Sequence, residues 1–254
     1  MAEERRIALV TGGARRIGLA IVRDLAAHGW AVAIHCNRSA KEGEAVEAAI
    51  RAAGGAAAVV RGDLADLADV RRLLPAAAER LGPVTLLVNN AALYLPDAVG
   101  ALDEETWRRQ FAVNLQAPVF LAEAFAAQLP DGEEGNIVNV IDQRVWKITP
   151  KMTSYMLSKS ALWTASRTLA QALAPRIRVN AIAPGPTLPN ERGGEDGFRG
   201  EADGVLLKRR VELGDFGRAV RFLVETRSMT GQLLALDAGQ HLAWETPDVV
   251  GNRE

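Results

Sequence analysis

The chain has 254 residues, with 30 Lys and Arg against 31 Asp and Glu, so its formal net charge is -1. Hydrophobic residues make up 48% and charged residues 24%, a composition that is typical of globular proteins and excludes general disorder. The near-neutral balance lacks the concentrated basic surface of nucleic-acid-binding proteins, so no nucleic-acid partner is expected.

One cysteine, Cys36, and three widely spaced histidines give neither an internal disulfide nor the spacing of a metal site. No metal is therefore expected. The apolar run at residues 7–10 is shorter than a secretory signal core of about 7–15 residues. No apolar stretch approaches the roughly 18 residues that a membrane span needs. The sequence predicts a cytoplasmic protein with no membrane partner.

Short apolar runs alternate along the chain with longer segments of helical periodicity. The runs lack polar alternation, as in strands that are buried on both faces of a parallel sheet. The sequence predicts an α/β fold, a single doubly wound domain over residues 1–254 with helices on both faces of the sheet. The predicted strands are residues 7–10, 31–35, 57–60, 85–89, 136–141, 177–181 and 232–236. The predicted helices are residues 17–28, 41–53, 67–81, 103–129, 153–174 and 215–225.

Residues 184–204 are the one long stretch that is predicted to be irregular, because Gly, Pro and charged residues dominate it. A loop of this length in a compact domain is usually a lid or disordered. Lids exclude water and select substrates. We therefore expect this segment to be the substrate lid.

The first predicted strand leads into a glycine-rich turn, Thr11-Gly12-Gly13-Ala14-Arg15-Arg16-Ile17-Gly18, which a helix follows. Such a turn lets the backbone approach a pyrophosphate, whose charge then lies at the helix N-terminus. The alternative is a tight turn without a ligand, but the position at the first strand–helix junction favours a dinucleotide site. The residues expected to hold the cofactor here are Thr11, Gly12, Arg15, Arg16, Ile17 and Gly18.

The end of the second strand, His35-Cys36-Asn37-Arg38-Ser39, contains no carboxylate. NAD sites usually carry an acidic residue about 20 residues after the glycines, where it binds the ribose 2′-hydroxyl. Arg38, with an arginine of the glycine-rich turn, could instead pair with a 2′-phosphate, to which Ser39 could donate. We expect Asn37, Arg38 and Ser39 to contact NADPH, which is preferred over NADH. The alternative is that Arg38 is a solvated loop residue.

Six motifs in order make the chain resemble the short-chain dehydrogenase/reductase family over residues 6–242. They are Thr11 to Gly18, Asp63-Leu64, Asn89-Asn90-Ala91-Ala92, Asn114, Tyr155-x-x-x-Lys159 and Pro184-Gly185. The resemblance implies that Asp63 and Leu64 hold the adenine and that Asn89 to Ala91, with Asn90 between them, line the cofactor. It also implies that Asn114 orders a water relay to the lysine and that Pro184, Gly185 and Thr187 lie beside the nicotinamide.

Tyr155 and Lys159 share a helix face because they are four residues apart. A phenol with a pKa of about 10 is a poor acid–base partner at neutral pH. A nearby ammonium, and the positive charge of oxidised nicotinamide, favour phenolate and lower that pKa. By the resemblance, Tyr155 is the catalytic acid and Lys159 also holds the nicotinamide ribose. The alternative is a chance pair on a helix.

Asp142 departs from the family pattern, in which a serine usually stands thirteen residues before the tyrosine and binds a substrate carbonyl. A carboxylate would repel a developing alkoxide and would raise the tyrosine pKa unless it were protonated or paired. It is therefore a poor partner for ketone reduction. It suits a substrate with N–H donors or one that is protonated at nitrogen. The alternative is a strand-end residue that caps a turn.

Asp142, the Arg16-Ile17-Gly18 sequence and the His35-x-x-Arg38-Ser39 strand end resemble the pteridine reductase branch of the family. That branch includes dihydropteridine and dihydromonapterin reductases, in which an aromatic side chain after the Asn-Asn-Ala motif stacks on the pterin. Tyr94 stands at that point, although it could instead pack against a lid. Arg16 could reach the pterin carbonyl or the cofactor phosphates.

The resulting hypothesis is an NADPH-dependent reductase of a dihydropterin, with Tyr155, Lys159, Asp142 and Asn114 as catalytic residues. The expected substrate contacts are Tyr94, Asp142, Tyr155 and Arg16. One alternative is a carbonyl reductase of a 3-oxoacyl thioester, sugar or other ketone, and another is a catalytically silent NADP-binding regulatory protein. The resemblance also implies a homotetramer, a dimer of dimers, with the helices at 103–129 and 153–174 in the dimer contact. Trp146 and Trp244 could wall the pocket or lie in a subunit contact.

Overall fold

A computed structural model describes residues 6–189 and 194–245 of the protein. Its strands are β1 Ile7–Val10, β2 Ala31–Cys36, β3 Ala57–Arg61, β4 Leu86–Asn89, β5 Gly135–Val140, β6 Ile177–Pro184 and β7 Leu233–Leu236. They form one parallel sheet in the order β3-β2-β1-β4-β5-β6-β7. The predicted seven-stranded, doubly wound α/β fold is confirmed.

The helices are α1 Arg16–Ala27, α2 Ala40–Ala52, α3 Leu67–Leu81, α4 Glu104–Phe111, α5 Ala117–Gln128, α6 Thr153–Leu173, α7 Gly194–Asp203 and α8 Leu213–Glu225. Buried side chains of α1, α2 and α8 form the core on one face of the sheet. Side chains of α3, α5 and α6 form the core on the other face. Because both faces are covered, the strands are almost continuously apolar, which is why their positions could be predicted.

The segment predicted as one helix over 103–129 is interrupted. A π-helical turn, Ala112–Gln116, separates α4 from α5. Pro118 lacks an amide hydrogen, so it cannot make the helical bond to the carbonyl of Asn114 four residues earlier. The backbone widens at this point, as π turns commonly do at functional positions. Asn114 therefore lies in the irregular turn.

Part of the segment predicted to be irregular, residues 184–204, is regular. Strand β6 extends to Pro184, and α7 covers Gly194–Asp203. The prediction of irregular structure from the content of Gly, Pro and charged residues is therefore wrong for these two parts, because such a composition does not prevent a strand end or a helix. Residues 190–193 of the predicted lid lie outside the described residues. Within the described residues, no helix combines the length and the apolar character that a membrane crossing requires.

Replacing Gly18 with alanine should destabilise the protein by about 1–3 kcal/mol, because α1 would have to move away from Gly12 and Asn90 to make room for the added methyl group. A Cβ atom there would lie 2.3 Å from the carbonyl oxygen of Gly12 and 2.6 Å from Nδ2 of Asn90. Urea unfolding measures the change. Gly200→Ala in α7 is the control, since its Cβ would meet no atom within 4 Å. Equal unfolding midpoints for Gly18→Ala and the wild type would contradict the close approach.

Candidate active site

A cavity of about 250 Å³ lies at the carboxyl edge of the parallel strands. It is lined by the glycine-rich turn, the loop after β4, the end of β5, the start of α6 and the segment after β6. All four predicted substrate contacts, Arg16, Tyr94, Asp142 and Tyr155, face it. A larger open groove of about 1020 Å³ at the amino edge of the sheet contains none of the predicted site residues.

Asp142 and Tyr155 are joined by a direct hydrogen bond at the wall of this cavity. The Tyr155 hydroxyl donates to Oδ2 of Asp142 at 2.7 Å. The other carboxylate oxygen, Oδ1, accepts from the backbone N–H of Arg144 at 2.9 Å. Asp142 thus caps the short 3-10 helix Gln143–Val145, as its alternative interpretation held, and it also holds the tyrosine. The two interpretations of this residue are therefore compatible.

Burial and the Asp142 carboxylate raise the pKa of Tyr155 well above its ordinary value. The expectation that Lys159 lowers this pKa is not met in the protein alone. The Lys159 ammonium donates to the carbonyl of Val140 at 2.7 Å and lies 6.0 Å from the centre of the Tyr155 ring. Burial lowers the pKa of Lys159 to about 8, although Asp142 acts in the opposite direction.

Tyr94 projects from the loop after β4 towards Tyr155. The two rings are edge-on, with centroids 4.7 Å apart and planes at 84°. Tyr94 is 44% exposed, so much of its surface is available to a molecule in the cavity. The stacking of a substrate ring on Tyr94 stays a prediction.

The glycine-rich turn is held by a histidine that the sequence analysis cited only as part of a resemblance. Gly12 has φ +63° and donates its N–H to Nδ1 of His35 at 3.2 Å. Nδ1 therefore accepts, and Nε2 of His35 contacts the carbonyl of Gly62 at 3.1 Å as the protonated nitrogen. Burial lowers the pKa of His35, which favours this neutral form. A polar residue in a wholly buried strand was the signal that could have indicated this role.

The N-terminus of α1 has no side-chain cap and no acidic residue in its first turn. The first N–H groups of a helix and its positive dipole end are suited to a phosphate, and the pyrophosphate contact that the glycines predict here stays a prediction. Arg15 lies 3.6 Å from the Glu42 carboxylate. Arg16 donates to the carbonyls of Pro189 at 3.1 Å and Leu188 at 3.4 Å. Arg16 therefore joins the glycine-rich turn to the start of the predicted lid.

The motif after β4 meets the glycine-rich turn. Asn90 donates to the carbonyl of Thr11 at 2.8 Å, and the N–H of Ala91 donates to the Thr11 hydroxyl at 3.0 Å. Neighbouring Ile17 lines the cavity. Parallel strands β1 and β4 are adjacent in the sheet, which is why the two motifs lie together.

The predicted adenine and 2′-phosphate contacts lie at the ends of β2 and β3. Asn37 and Arg38 are exposed at the end of β2, and Ser39 directly precedes α2. Asp63 accepts from the N–H of Ala65 at 3.0 Å, and Leu64 is buried. The ends of these neighbouring strands form one continuous edge with the glycine-rich turn.

The segment after β6 forms the opposite wall of the cavity, where Pro184, Gly185 and Thr187 lie. Gly185 donates to the carbonyl of Leu236 at 2.9 Å, and a Cβ atom on it would lie 2.5 Å from Cα of Asp237. Thr187 donates its hydroxyl proton to the carbonyl of Gly185 at 3.0 Å. A glycine is therefore required at the point where this segment passes β7.

Asn114 is buried beside α6, and its side chain bonds the loop that carries Tyr94. Nδ2 donates to the carbonyl of Leu93 at 2.9 Å and to the hydroxyl of Ser158 at 3.1 Å. The water relay that the resemblance implies for Asn114 stays a prediction. The rings of Trp146 and His241 have centroids 5.0 Å apart. Trp146 and Trp244 are both exposed.

Gln143 and Arg144 are among the cavity residues that the sequence analysis missed. Gln143 is buried, and within the described residues its Oε1 has no hydrogen-bond partner. Arg144 also lines the cavity, and its charge opposes the rise in the pKa of Tyr155. Neither residue belongs to the quoted motifs, so only their positions beside Asp142 could have indicated them. Among the described side chains, no group of three or more His, Cys, Asp or Glu is suited to a metal ion.

A model of the short chain dehydrogenase family matches residues 6–194 of the chain. The chain therefore belongs to this family, and the family prediction is confirmed. The chain is similar to a solved structure of FolM alternative dihydrofolate reductase 1 from Brucella canis complexed with NADP. The two are 59% identical with a TM-score of 0.92, over 96% of this chain and 98% of that one.

Relatives with other names are also similar. An uncharacterized oxidoreductase of Methylorubrum extorquens is 35% identical over 244 residues, or 93% of this chain and 98% of that protein. Galactitol 2-dehydrogenase of Agrobacterium fabrum is 35% identical over 182 residues, or 71% and 70% of the two chains. The comparisons therefore establish the family. The similar proteins differ in the substrates for which they are named.

Replacing Asp142 with asparagine should lower the pKa of Tyr155 towards its ordinary value, because the negative charge beside the phenol is removed. The chain has only 2 tyrosines, and both line the cavity. Tyrosinate ultraviolet absorbance against pH, over the range in which circular dichroism shows folded protein, therefore reports the site directly. Tyr94→Phe assigns the two ionisations. An unchanged Tyr155 ionisation in Asp142→Asn would show that the carboxylate does not control this phenol.

Proposed function

We propose that this protein is an NADPH-dependent reductase that converts a dihydropterin, or a related pteridine, to its tetrahydro form. The observation that carries the proposal is the 2.7 Å hydrogen bond from the Tyr155 hydroxyl to the Asp142 carboxylate at the wall of the cavity. Further support comes from the similar Brucella canis structure, which is that of an alternative dihydrofolate reductase complexed with NADP.

Asp142 disfavours ketone reduction for an electrostatic reason. Reduction of a ketone places negative charge on oxygen, which needs hydrogen-bond donors rather than a carboxylate. Reduction of a ring C=N bond places the new electron pair on nitrogen, which takes up a proton. A carboxylate that shares a proton with a phenol can supply one. Asp142 therefore fits a nitrogen heterocycle better than a carbonyl.

The proposed reaction balances with one hydride and one proton. NADPH, when bound, supplies the hydride that adds to the carbon of the C=N bond. The Tyr155–Asp142 pair gives its proton to the nitrogen, so that the C=N bond becomes CH–NH. The pair then regains a proton from water. Tyr94 offers an aromatic surface to the flat ring, and the Oε1 atom of Gln143, which has no hydrogen-bond partner among the described residues, offers a further polar contact.

The proposed cofactor site combines the glycine-rich turn with the neighbouring strand ends. The uncapped N-terminus of α1 fits the pyrophosphate, and the exposed Arg38 fits the 2′-phosphate. The proposal extends to residues 184–204 as a lid, to a homo-oligomer and to a cytoplasmic location, all of which stay predictions. The proposed cofactor contacts are Thr11, Gly12, Arg15, Arg16, Ile17, Gly18, Asn37, Arg38, Ser39, Asp63, Leu64, Asn90, Ala91, Tyr155, Lys159, Pro184, Gly185 and Thr187.

Replacing Arg38 with glutamine should weaken NADPH binding by about 10- to 100-fold, the usual value of a charged hydrogen bond. NADH binding should hardly change, because NADH lacks the 2′-phosphate. Fluorescence titration of both cofactors measures this. Arg218→Gln is the matched control, since Arg218 pairs with Asp215 on α8. Tighter binding of NADH than NADPH by the wild type would contradict the cofactor preference.

The wild type should consume NADPH when a 7,8-dihydropterin is the substrate. The same assay is run in parallel with dihydrofolate and with a 3-oxoacyl thioester. Asp142→Ser should lower kcat/KM for the pterin by about 100-fold or more, because a positioned proton donor contributes about 10²–10⁴-fold. NADPH affinity should stay unchanged in this variant.

Other outcomes would favour the alternatives. Turnover of the thioester alone would establish a carbonyl reductase, in which Asp142 is an incidental replacement. NADPH binding without turnover of any substrate would favour a regulatory protein. Unaltered pterin turnover in Asp142→Ser would remove the carboxylate from the mechanism.

A further inference from the structure

The loop that carries Tyr94 is held by two side-chain carboxamides rather than by regular secondary structure. Residues 90–98 belong to no helix or strand. Yet Leu93 and Leu95, on either side of Tyr94, each have both backbone polar groups bonded to one carboxamide. These carboxamides belong to Gln110 and Asn114, which are four residues apart and both fully buried.

The first carboxamide is that of Gln110. Its Oε1 accepts from the N–H of Leu95 at 3.0 Å, and its Nε2 donates to the carbonyl of Leu95 at 3.4 Å. Nε2 also donates to the hydroxyl of Ser154 in α6. Gln110 therefore connects the loop to the helix that carries Tyr155.

The second carboxamide repeats this pattern one helical turn later. Oδ1 of Asn114 accepts from the N–H of Leu93 at 2.8 Å, and Nδ2 donates to the carbonyl of Leu93 and to the hydroxyl of Ser158. Two parallel sets of hydrogen bonds therefore link the loop to α6. One runs through Leu95, Gln110 and Ser154, and the other through Leu93, Asn114 and Ser158. Tyr94 lies between them on the loop, and Tyr155 lies between the two serines on α6.

We propose that Gln110 is a positioning residue that holds the Tyr94 ring edge-on to Tyr155 and so sets the width of the substrate slot. Asn114 is already implicated by the family resemblance, whereas Gln110 is not. A loop without strand neighbours would otherwise leave the part-buried N–H and carbonyl of Leu95, which face the buried Gln110 carboxamide, without a protein partner, which is costly. The paired carboxamide restricts Leu95, and through it the neighbouring Tyr94.

A further contact couples the same loop to the start of α6. The Asp97 carboxylate accepts from the N–H of Ser154 through both oxygens at 3.1 Å. The carbonyl of Asp97 accepts from the N–H of Met152 at 2.9 Å. Ser154 thus donates a hydrogen bond from its backbone N–H to Asp97, and its hydroxyl accepts one from Gln110. Movement of the loop would therefore also disturb the helix turn that presents Tyr155.

The test uses Gln110→Met, which keeps the side-chain shape and removes the carboxamide. The inference rests on the proposed function only for its kinetic reporter, the dihydropterin. We expect kcat/KM for the pterin to fall by about tenfold or more, mainly through KM, because small misplacements near the reacting groups are costly. The dissociation constant of NADPH should change by less than about twofold.

Gln128→Met is the matched control, because Gln128 holds a backbone in the same manner away from the site. Its Oε1 accepts from the N–H of Val84 at 3.0 Å, and its Nε2 donates to the carbonyl of Val84 at 2.7 Å. Gln128→Met should leave the pterin kinetics unchanged. Equal kinetic losses in the two variants would reduce Gln110 to a structural residue and overturn the proposal.

A double-mutant cycle with Tyr94→Leu tests whether Gln110 acts through Tyr94. In the Tyr94→Leu background, Gln110→Met should lower kcat/KM by less than about twofold. Full additivity of the two losses would overturn the proposal. If Gln110→Met does not fold, Ser154→Ala replaces it in the same cycle, because it removes only the Ser154 end of the connection.

A readout without substrate separates this inference from the proposed function. Loss of the Tyr94 ring from its place should admit water to Tyr155 and lower its pKa, which tyrosinate absorbance detects. Gln110→Met should show this change, and Gln128→Met should not. If the wild type turns over no pterin, the proposed function fails, and this titration alone decides the role of Gln110. No difference between Gln110→Met and the wild type would then overturn it.

Discussion

The hydrogen bond between Tyr155 and Asp142 joins the end of β5 to the first turn of α6, and the rest of the site is arranged around it. The bond places a negative charge beside a fully buried phenol, which is unfavourable unless neighbouring groups compensate. Lys159 lies on the same helix face and is bonded to Val140, two residues before Asp142. Arg144 donates its N–H to the same carboxylate. The site is therefore one coupled set of charges.

The parts of the fold that depend on local pattern could be predicted from the sequence. The strands β1 to β7 are apolar runs between helical segments, because helices cover both faces of the sheet. Parallel strands also place their carboxyl ends on one edge, so the motifs after β1, β4, β5 and β6 had to meet there. Asp142 was identified through the family resemblance instead, since it replaces the serine that the family usually carries thirteen residues before the tyrosine.

What could not be predicted depends on contacts between distant segments. Gln110 is an ordinary polar residue in its sequence context. Only the path of the loop at 90–98 brings the backbone of Leu95 within hydrogen-bond distance of the Gln110 carboxamide. The π turn at Asn114 arises where Pro118 removes one helical bond, and a helical pattern alone does not show it. The opposite effects expected from Asp142 and Lys159 on the Tyr155 pKa could not be ranked, because the sequence does not show which of the two hydrogen-bonds the phenol or how deeply the phenol is buried. Its helical spacing from Lys159 indicates proximity but not that choice.

The raised pKa of Tyr155 also bears on its part in the proposed reduction. A phenol with this pKa stays protonated at neutral pH, so it is prepared to donate a proton rather than to accept one. Reduction requires proton donation, whereas the oxidation of an alcohol requires a base. In the proposed cofactor site, the exposed Arg38 at the end of β2 pairs with the 2′-phosphate that NADPH carries and NADH lacks. The protonated Tyr155–Asp142 pair thus meets the need of the proposed reduction for a proton donor, whereas the proposed Arg38 contact selects the phosphorylated cofactor in either oxidation state.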